Sequence, residues 1–241
     1  IYTLSLHDAL PISSWICRRM IRERLTFRES FFFGRTDLAE DEELLTLLHD
    51  AHLTRVLIGI ESLNQKALDR IHKGQSIENI QRAAAACARH RIRLIVSLVL
   101  GLDEDTLADM QAGVQFAKDI QAYQLQPAIL TPYPGTPVYE QFRREGRLIS
   151  QSWSDYDMMN VTFLPKHETP WALQEAFYQV AKMFYDFKSC GEIGKLFGNA
   201  YGFRRFGLAV LARLGAFGAH AASKVAKSSV YYRLRHFHPA C

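Results

Sequence analysis

The sequence predicts an α/β protein organised on a parallel sheet, and three observations carry that expectation. Four apolar or β-branched runs alternate strictly with helical patterns, with no repeat of fixed period. That alternation is the mark of a parallel sheet or barrel built from βαβ crossovers. One run, Ile92 and then Leu94 to Leu100 broken only by Ser97, is apolar enough for a strand covered on both faces. Each run also stops abruptly, at a glycine, a carboxylate or a proline-rich turn. Ligands of parallel α/β proteins sit at such carboxyl ends.

The elements follow in order. Ser14 to Thr26 spaces Trp15, Ile16, Met20, Ile21 and Leu25 as a surface helix does. FRESFFFGRT at 27–36 reads as a strand ending at Gly34, with Arg35 and Asp37 at its carboxyl end. Arg35 offers either a planar fork for a carboxylate or phosphate, or an ordinary surface cation. Leu38 to Ala51 reads as one helix with acidic residues in its first turns, where they complement the dipole. TRVLIGI at 54–60 is the second strand and delivers Glu61 and Ser62. These two either hydrogen-bond a ribose or amino group, or Ser62 and Asn64 cap the helix Gln65 to His72.

Helix Ile77 to Arg89 leads into the third strand, and RIRLIVSLVLGLDEDT at 91–106 runs from strand through Gly101 to a helix start. Alone it fits a plain turn as well as a ligand-binding one. Helix Leu107 to Ile120 follows, then strand Gln124 to Leu130. Thr131 to Pro137 is too proline-rich to continue either element, so it is a stiff loop, serving a ligand or only the turn. Pro137 suits the first turn of a helix reaching Glu145, and Gly146 its end. Ser150 to Lys166 is irregular and aromatic, with Tyr156, Asp157 and Lys166 as either pocket-rim or ordinary surface residues, and Pro170 to Phe187 is helical.

Composition narrows the class. With 48% hydrophobic and 22% charged residues in 241, the chain has the makings of a packed core rather than a disordered segment. No apolar run approaches the roughly 20 residues of a membrane-spanning helix, and no secretory signal is legible, so a cytoplasmic location is expected. Cys17, Cys87, Cys190 and Cys241 show no CxxC or cysteine–histidine metal spacing. Beyond Glu192 no acidic residue occurs, while lysines and arginines continue. That basic tail reads as a solvated extension or as a surface for anionic membrane, nucleic acid being the less expected partner.

The first residues stand apart. IYTLSLHDALPI at 1–12 agrees residue for residue with a translated sequencing adapter, so residues 1–13 are expected to be artefactual. A portion of the natural protein is accordingly expected to precede them. The remaining expected divisions are a barrel portion at 14–149, a post-barrel segment with helix at 150–190 and a basic extension at 191–241.

Taken together, FGRTD at 33–37, IGIES at 58–62, LVLGLDEDT at 98–106 and LTPYPGTPVYEQFRREGRL at 130–148 resemble the radical S-adenosylmethionine (SAM) superfamily, in particular its cobalamin-binding type. The resemblance spans about Phe27 to Phe187 and rests on four motifs in order. It implies the C-terminal part of a partial (β/α)6 TIM-type barrel, followed here by the basic extension. It also implies S-adenosylmethionine across the strand ends, a 4Fe-4S cluster that cleaves it to a deoxyadenosyl radical, an external electron donor, a small-molecule substrate and, for this type, cobalamin-dependent methylation.

Carried over by position, Arg35, Glu61 and Ser62 match the third and fourth strand ends, implied to meet the methionine or ribose portion. Ser97, Val99, Gly101 and Glu104 fall on the family's GxIxGxxE pattern beside the adenine, with Ser97 in place of the first glycine. Pro132 and Gly135 lie in the loop after the sixth strand. The CxxxCxxC loop that holds the cluster is absent, so the polypeptide by itself is expected to be inactive. A cobalamin-independent radical enzyme, related to methylthiotransferases or porphyrinogen oxidases, and a non-catalytic α/β binding protein are the alternatives.

Overall fold

The computed structural model describes residues 6–25, 27, 30–71, 73–150, 152–185, 207 and 210, with side chains from residue 12 onward. The expected basic extension at 191–241 lies outside the described residues, apart from Gly207 and Val210. Helix α1 (Leu6–Arg22) leads to strand β1 (Phe32–Gly34) and a 3-10 turn (Thr36–Glu40). Next come α2 (Glu42–Asp50), β2 (Arg55–Glu61), α3 (Gln65–Arg70), α4 (Ile77–Arg89) and β3 (Arg93–Leu100). The order closes with α5 (Leu107–Asp119), β4 (Gln124–Ile129), α6 (Pro137–Arg144) and α7 (Pro170–Phe184).

Helix starts follow local chemistry. Ser76, Thr106, Thr136 and Thr169 accept hydrogen bonds from backbone N–H groups of the first turns of α4, α5, α6 and α7. At α5 the cap is reciprocal, because Asp109 returns a bond to the Thr106 backbone N–H. One expectation is corrected by the same chemistry: Leu38 to Ala51 is not a single helix. The Asp41 carboxylate accepts from Leu44 N at 2.8 Å and starts a new helix there, leaving the 3-10 turn before it. The first strand is also shorter than expected, three residues instead of most of 27–36. Helix α1 is more than a surface helix, for it packs on α2 and buries Cys17 and Met20.

All strand pairs are parallel and the sheet order is β1-β2-β3-β4, the order of the chain itself. A doubly wound sheet reverses its order at a switch point, whereas consecutive barrel strands keep it. Along β2 the burial alternates strictly. Val56, Ile58 and Ile60, with Leu94, Val96, Leu98 and Leu100 of β3 and Leu125 and Ile129 of β4, join the helices in one hydrophobic core. The other face carries Leu57, Gly59 and Glu61, Ser97 and Val99, Gln126 and Ala128, all partly or fully exposed. Helices thus cover one face, and the opposite face is small and polar toward its carboxyl end.

The segment after α6 is bound into this unit. Arg147 to Ile149 lies antiparallel to Thr162 to Leu164, with Ile149 N to Thr162 O at 3.0 Å and Leu164 N to Arg147 O at 2.8 Å. Ile129 N of β4 donates to Met158 O at 2.8 Å, and α7 packs on α5 and β4. Buried Gln174 fixes the turn before this stretch, accepting from Val161 N and donating to Met159 O.

Candidate functional site at the strand carboxyl ends

The end of β2 is irregular where the chemistry is richest. The β2–β3 register shifts between Gly59 and Glu61, and Glu61 adopts a φ of +67°, a left-handed conformation uncommon for a residue with a side chain. Its carboxylate folds back over Gly59, where a Cβ would meet Glu61 Oε1 at 2.2 Å and Lys73 Nζ at 2.9 Å. Lys73 Nζ donates to Glu61 Oε1 at 2.7 Å, and Ser97 Oγ donates to Oε2 at 3.3 Å. The two expected site residues Glu61 and Ser97 therefore meet. Lys73, which the sequence reading did not single out, joins them from the α3–α4 loop.

Ser62 faces elsewhere. It is buried, its hydroxyl donates to Asp105 Oδ1 at 2.8 Å, and its oxygen accepts from Asn64 N at 2.9 Å. Asn64 in turn caps α3 and donates to Glu104 O at 2.9 Å. Asn64 is thus the residue that caps α3, while the Ser62 hydroxyl clasps two loops together. Burial, the dominant influence, pushes the Asp105 carboxyl up to about 6; the Ser62 bond opposes this, while the negative charges of Asp109 and Glu104 add to it. Glu104 is held by Arg70 of α3, with NH1 to Oε1 at 2.6 Å.

Gly101 has a φ of +89°, and a Cβ there would lie 2.7 Å from Leu173 Cδ2 and 3.1 Å from Phe163 Cζ. Glycine at this turn is accordingly demanded by packing against α7 and the segment around Phe163. Next to it, buried Asp103 receives a two-pronged bond from Arg147 at 2.6 and 3.0 Å and an ion pair from Lys166 at 3.0 Å. Burial acts to raise the Asp103 carboxyl, but the bonds from Arg147 and Lys166, with their charges, outweigh it and hold it below the usual carboxylate range. Arg147 also donates through Nε to Leu164 O at 2.7 Å and stacks 4.0 Å over the Phe142 ring. Lys166 is therefore an anchor of this hub. Tyr156 and Asp157 likewise serve local structure, bonding Ser150 O and the amides of Met159 and Asn160.

Beside the hub lies a cleft of about 330 Å³, its apolar walls made by Leu102, Leu130, Val138 and Phe142 and its rim by Arg70 and Glu104. Pro132 follows Thr131 as a buried residue at the end of β4, while Gly135 sits exposed in the turn with a φ of +87°. Val99 lies on the exposed sheet face beside Ala128, and Ser97 beside Gln126, a polar neighbour not foreseen from sequence. At the other side of the sheet, Arg35 is exposed, 3.6 Å from Asp37, and lines with Lys73 and Gln75 a smaller cavity of about 170 Å³. The strand ends thus bring Glu61, Ser97 and Lys73 together. Glu104 and the cleft lie across the Ser62–Asp105 clasp, and Arg35 stands at the margin.

The two described thiols form no metal site. Cys17 and Cys87 are both buried among apolar side chains, and burial pushes Cys87 up to about 12, far from a thiolate at neutral pH. Among the described residues no group of three metal-ligating side chains occurs.

Residues 17–117, from α1 to the last turns of α5, match the model of the Radical SAM superfamily. Over that segment the chain is similar to the radical SAM superfamily. Among curated relatives, the bacteriochlorophyllide d C-8(2)-methyltransferase of Chlorobaculum tepidum is 28% identical over 163 residues, 67% of this chain and 36% of the relative. The hopanoid C-2 methylase of Rhodopseudomonas palustris is 29% identical over 133 residues, 55% of this chain and 25% of the relative. The chain therefore spans only about a quarter to a third of the length of these relatives. A solved structure of the radical SAM methyltransferase TsrM from Kitasatospora setae, with cobalamin and a [4Fe-4S] cluster bound, aligns at a TM-score of 0.46 and 18% identity. That alignment covers 55% of this chain and 27% of the other.

Proposed function

We propose that this chain is the part of a radical SAM methyltransferase that holds the nucleoside and amino-acid portions of S-adenosylmethionine. The observation that carries this reading is the convergence of Glu61, Ser97 and Lys73 on the exposed sheet face, in a family segment whose relatives bear methyltransferase names. The residues fit the ligand's chemistry. A carboxylate and a hydroxyl are acceptors for ribose hydroxyls or an ammonium, and the apolar cleft by Leu102 and Leu130 suits a flat base.

The residues do not fit the cluster. Three thiolates are needed to leave one iron open, and the two described cysteines are separate and buried. The iron chemistry therefore belongs to residues other than those described. What this chain contributes is binding and orientation: Glu61 accepts, Ser97 shares its second oxygen, and the Ser62–Asp105 clasp fixes the loops that flank the ligand. Cobalamin as methyl carrier, an external electron donor and a small-molecule substrate complete the proposal. A contact of the basic tail with anionic membrane is proposed alongside; no helix among the described residues is long and apolar enough to cross a membrane.

The test is isothermal calorimetry of the purified chain with S-adenosylhomocysteine, which has no sulfonium to cleave. Saturable one-site binding, weakened roughly tenfold or more in Glu61→Gln, is the expected result. No binding by the folded chain, or equal binding by the variant, contradicts it.

A further inference from the structure

Glu61 is held in an unusual posture, and the means of holding it lie in one short loop. The backbone of Lys73 is fixed by its N–H, which donates to Leu68 O at 3.1 Å across the end of α3. Gly74 follows with a φ of +61°, and Gln75 then donates through Nε2 to Gly59 O at 2.9 Å and to Ile60 O at 3.0 Å. Those carbonyls belong to the stretch where the β2–β3 register slips. Gln75 is itself buried, so the loop grips the irregular strand end firmly. From this anchored position the Lys73 ammonium stands in the space left by the missing Gly59 side chain and takes Glu61 Oε1.

We propose that Lys73 is a positioning residue: it locks the Glu61 carboxylate back over Gly59, so that Oε2 lies beside Ser97 on the exposed sheet face. The role for ligand binding rests on the reading of this face as the S-adenosylmethionine site. The locking itself stands on geometry alone. Glu61 is left-handed without being glycine, so its conformation persists only where its surroundings over-determine it. Neither partner is a freely exposed surface ion, with side chains 34% and 17% accessible, and the pair bridges the end of β2 and the α3–α4 loop rather than two turns of one helix. Removing the ammonium frees the carboxylate to turn toward water and lets the bulge relax.

Two measurements test this on the whole chain. In the first, S-adenosylhomocysteine affinity is compared for wild type, Lys73→Met, Lys73→Arg, Glu61→Gln and Lys73→Met/Glu61→Gln. Loss of roughly tenfold in Lys73→Met, substantial recovery in Lys73→Arg and no added loss in the double variant are expected. Additive losses, or an unaffected Lys73→Met, overturn the proposal. In the second, backbone hydrogen exchange is followed at Gly59 to Ser62 without ligand. Faster exchange there in Lys73→Met, restored in Lys73→Arg and with α4 and β3 unchanged, supports the lock. Exchange identical to wild type overturns it. If wild type fails to bind the ligand, the S-adenosylmethionine reading falls while the exchange result still decides the lock.

Discussion

The Ser62 hydroxyl donates to the Asp105 carboxylate at 2.8 Å inside the protein, joining the end of β2 to the loop after β3 across 43 residues of sequence. Both loops carry residues of the candidate site, Glu61 on one side and Glu104 on the other. Their relative placement is therefore held by this buried bond, whose acceptor is an unusually reluctant acid, together with the bond from Asn64 to Glu104 O.

That acid gives the fold a pH dependence of definite sign. With its folded pKa raised to about 6 from 3.8, Asp105 binds its proton more tightly in the native state. Its favourable contribution is complete below the unfolded value and is lost as pH rises through about 6. A shift of this size corresponds to about 3 kcal/mol. In urea denaturation, Asp105→Asn is expected to gain stability relative to wild type between pH 4 and pH 7 by an amount up to that size. A wild-type–variant difference that is flat over this window would contradict the assignment.

Arg147 is expected to be the most damaging single ion-pair residue to remove. Arg147→Met leaves Asp103 buried with Lys166 at 3.0 Å and Arg70 at 3.8 Å as its remaining cationic partners and strips the bonds that tie the β3 turn to the segment around Leu164. Breaking one half of a buried pair costs about 3–5 kcal/mol, whereas replacing both halves by apolar groups is often neutral. Chemical denaturation should accordingly show a large loss for Arg147→Met and much of it recovered in Asp103→Leu/Arg147→Met. Equal losses in the two proteins would show that the Arg147 contacts to Leu164 O and the Phe142 ring, rather than the ion pair, dominate.

Gly101→Ala combines a left-handed backbone with a methyl group aimed at Leu173. Those two penalties together are about 2–4 kcal/mol. Thermal unfolding should show the loss, and Leu173→Ala in the same chain should remove less stability from Gly101→Ala than from wild type, because the clash is relieved. Strict additivity of the two substitutions would refute the packing explanation.

The 241-residue chain alone is expected to assemble no four-iron cluster and to leave S-adenosylmethionine uncleaved under anaerobic reconstitution with iron, sulfide and reductant. Its four cysteines, at 17, 87, 190 and 241, never fall in a CxxxCxxC loop, and the Cys87 thiol is far from ionising. Stoichiometric iron and sulfide with deoxyadenosine release would contradict this.

Much of the fold was legible because local chemistry decides it. Alternation of apolar runs, helix caps at Ser76, Thr106 and Thr136, and Pro137 at a first turn are all encoded within a few residues. The site was legible only in outline. Glu61 and Ser97 were each singled out, but their meeting was not, and the partner that locks Glu61 arrives from a loop 12 residues on, with no pattern to mark it. Asp103, Arg147 and Lys166 are drawn together by tertiary packing over 44 and more residues, and each reads locally as an ordinary surface charge. The glycine at 101 fitted a plain turn as well as a ligand-binding one, and the side chains that crowd it, Leu173 and Phe163, come from more than 60 residues away. The Ser62 hydroxyl turns inward to a buried carboxylate 43 residues away, a partner that no local pattern announces. A glycine or serine at a strand end names a close contact without saying which neighbour makes it.

The most direct measurement is NMR mapping of S-adenosylhomocysteine on isotope-labelled chain. If the strand ends bind the cofactor, saturable shift changes will concentrate at Gly59 to Ser62, Ser97 to Glu104 and Leu130 to Gly135. Changes confined to the groove between α5 and α7, lined by Leu107, Met110, Trp171 and Met183, or no saturable change in a folded protein, would contradict the assignment.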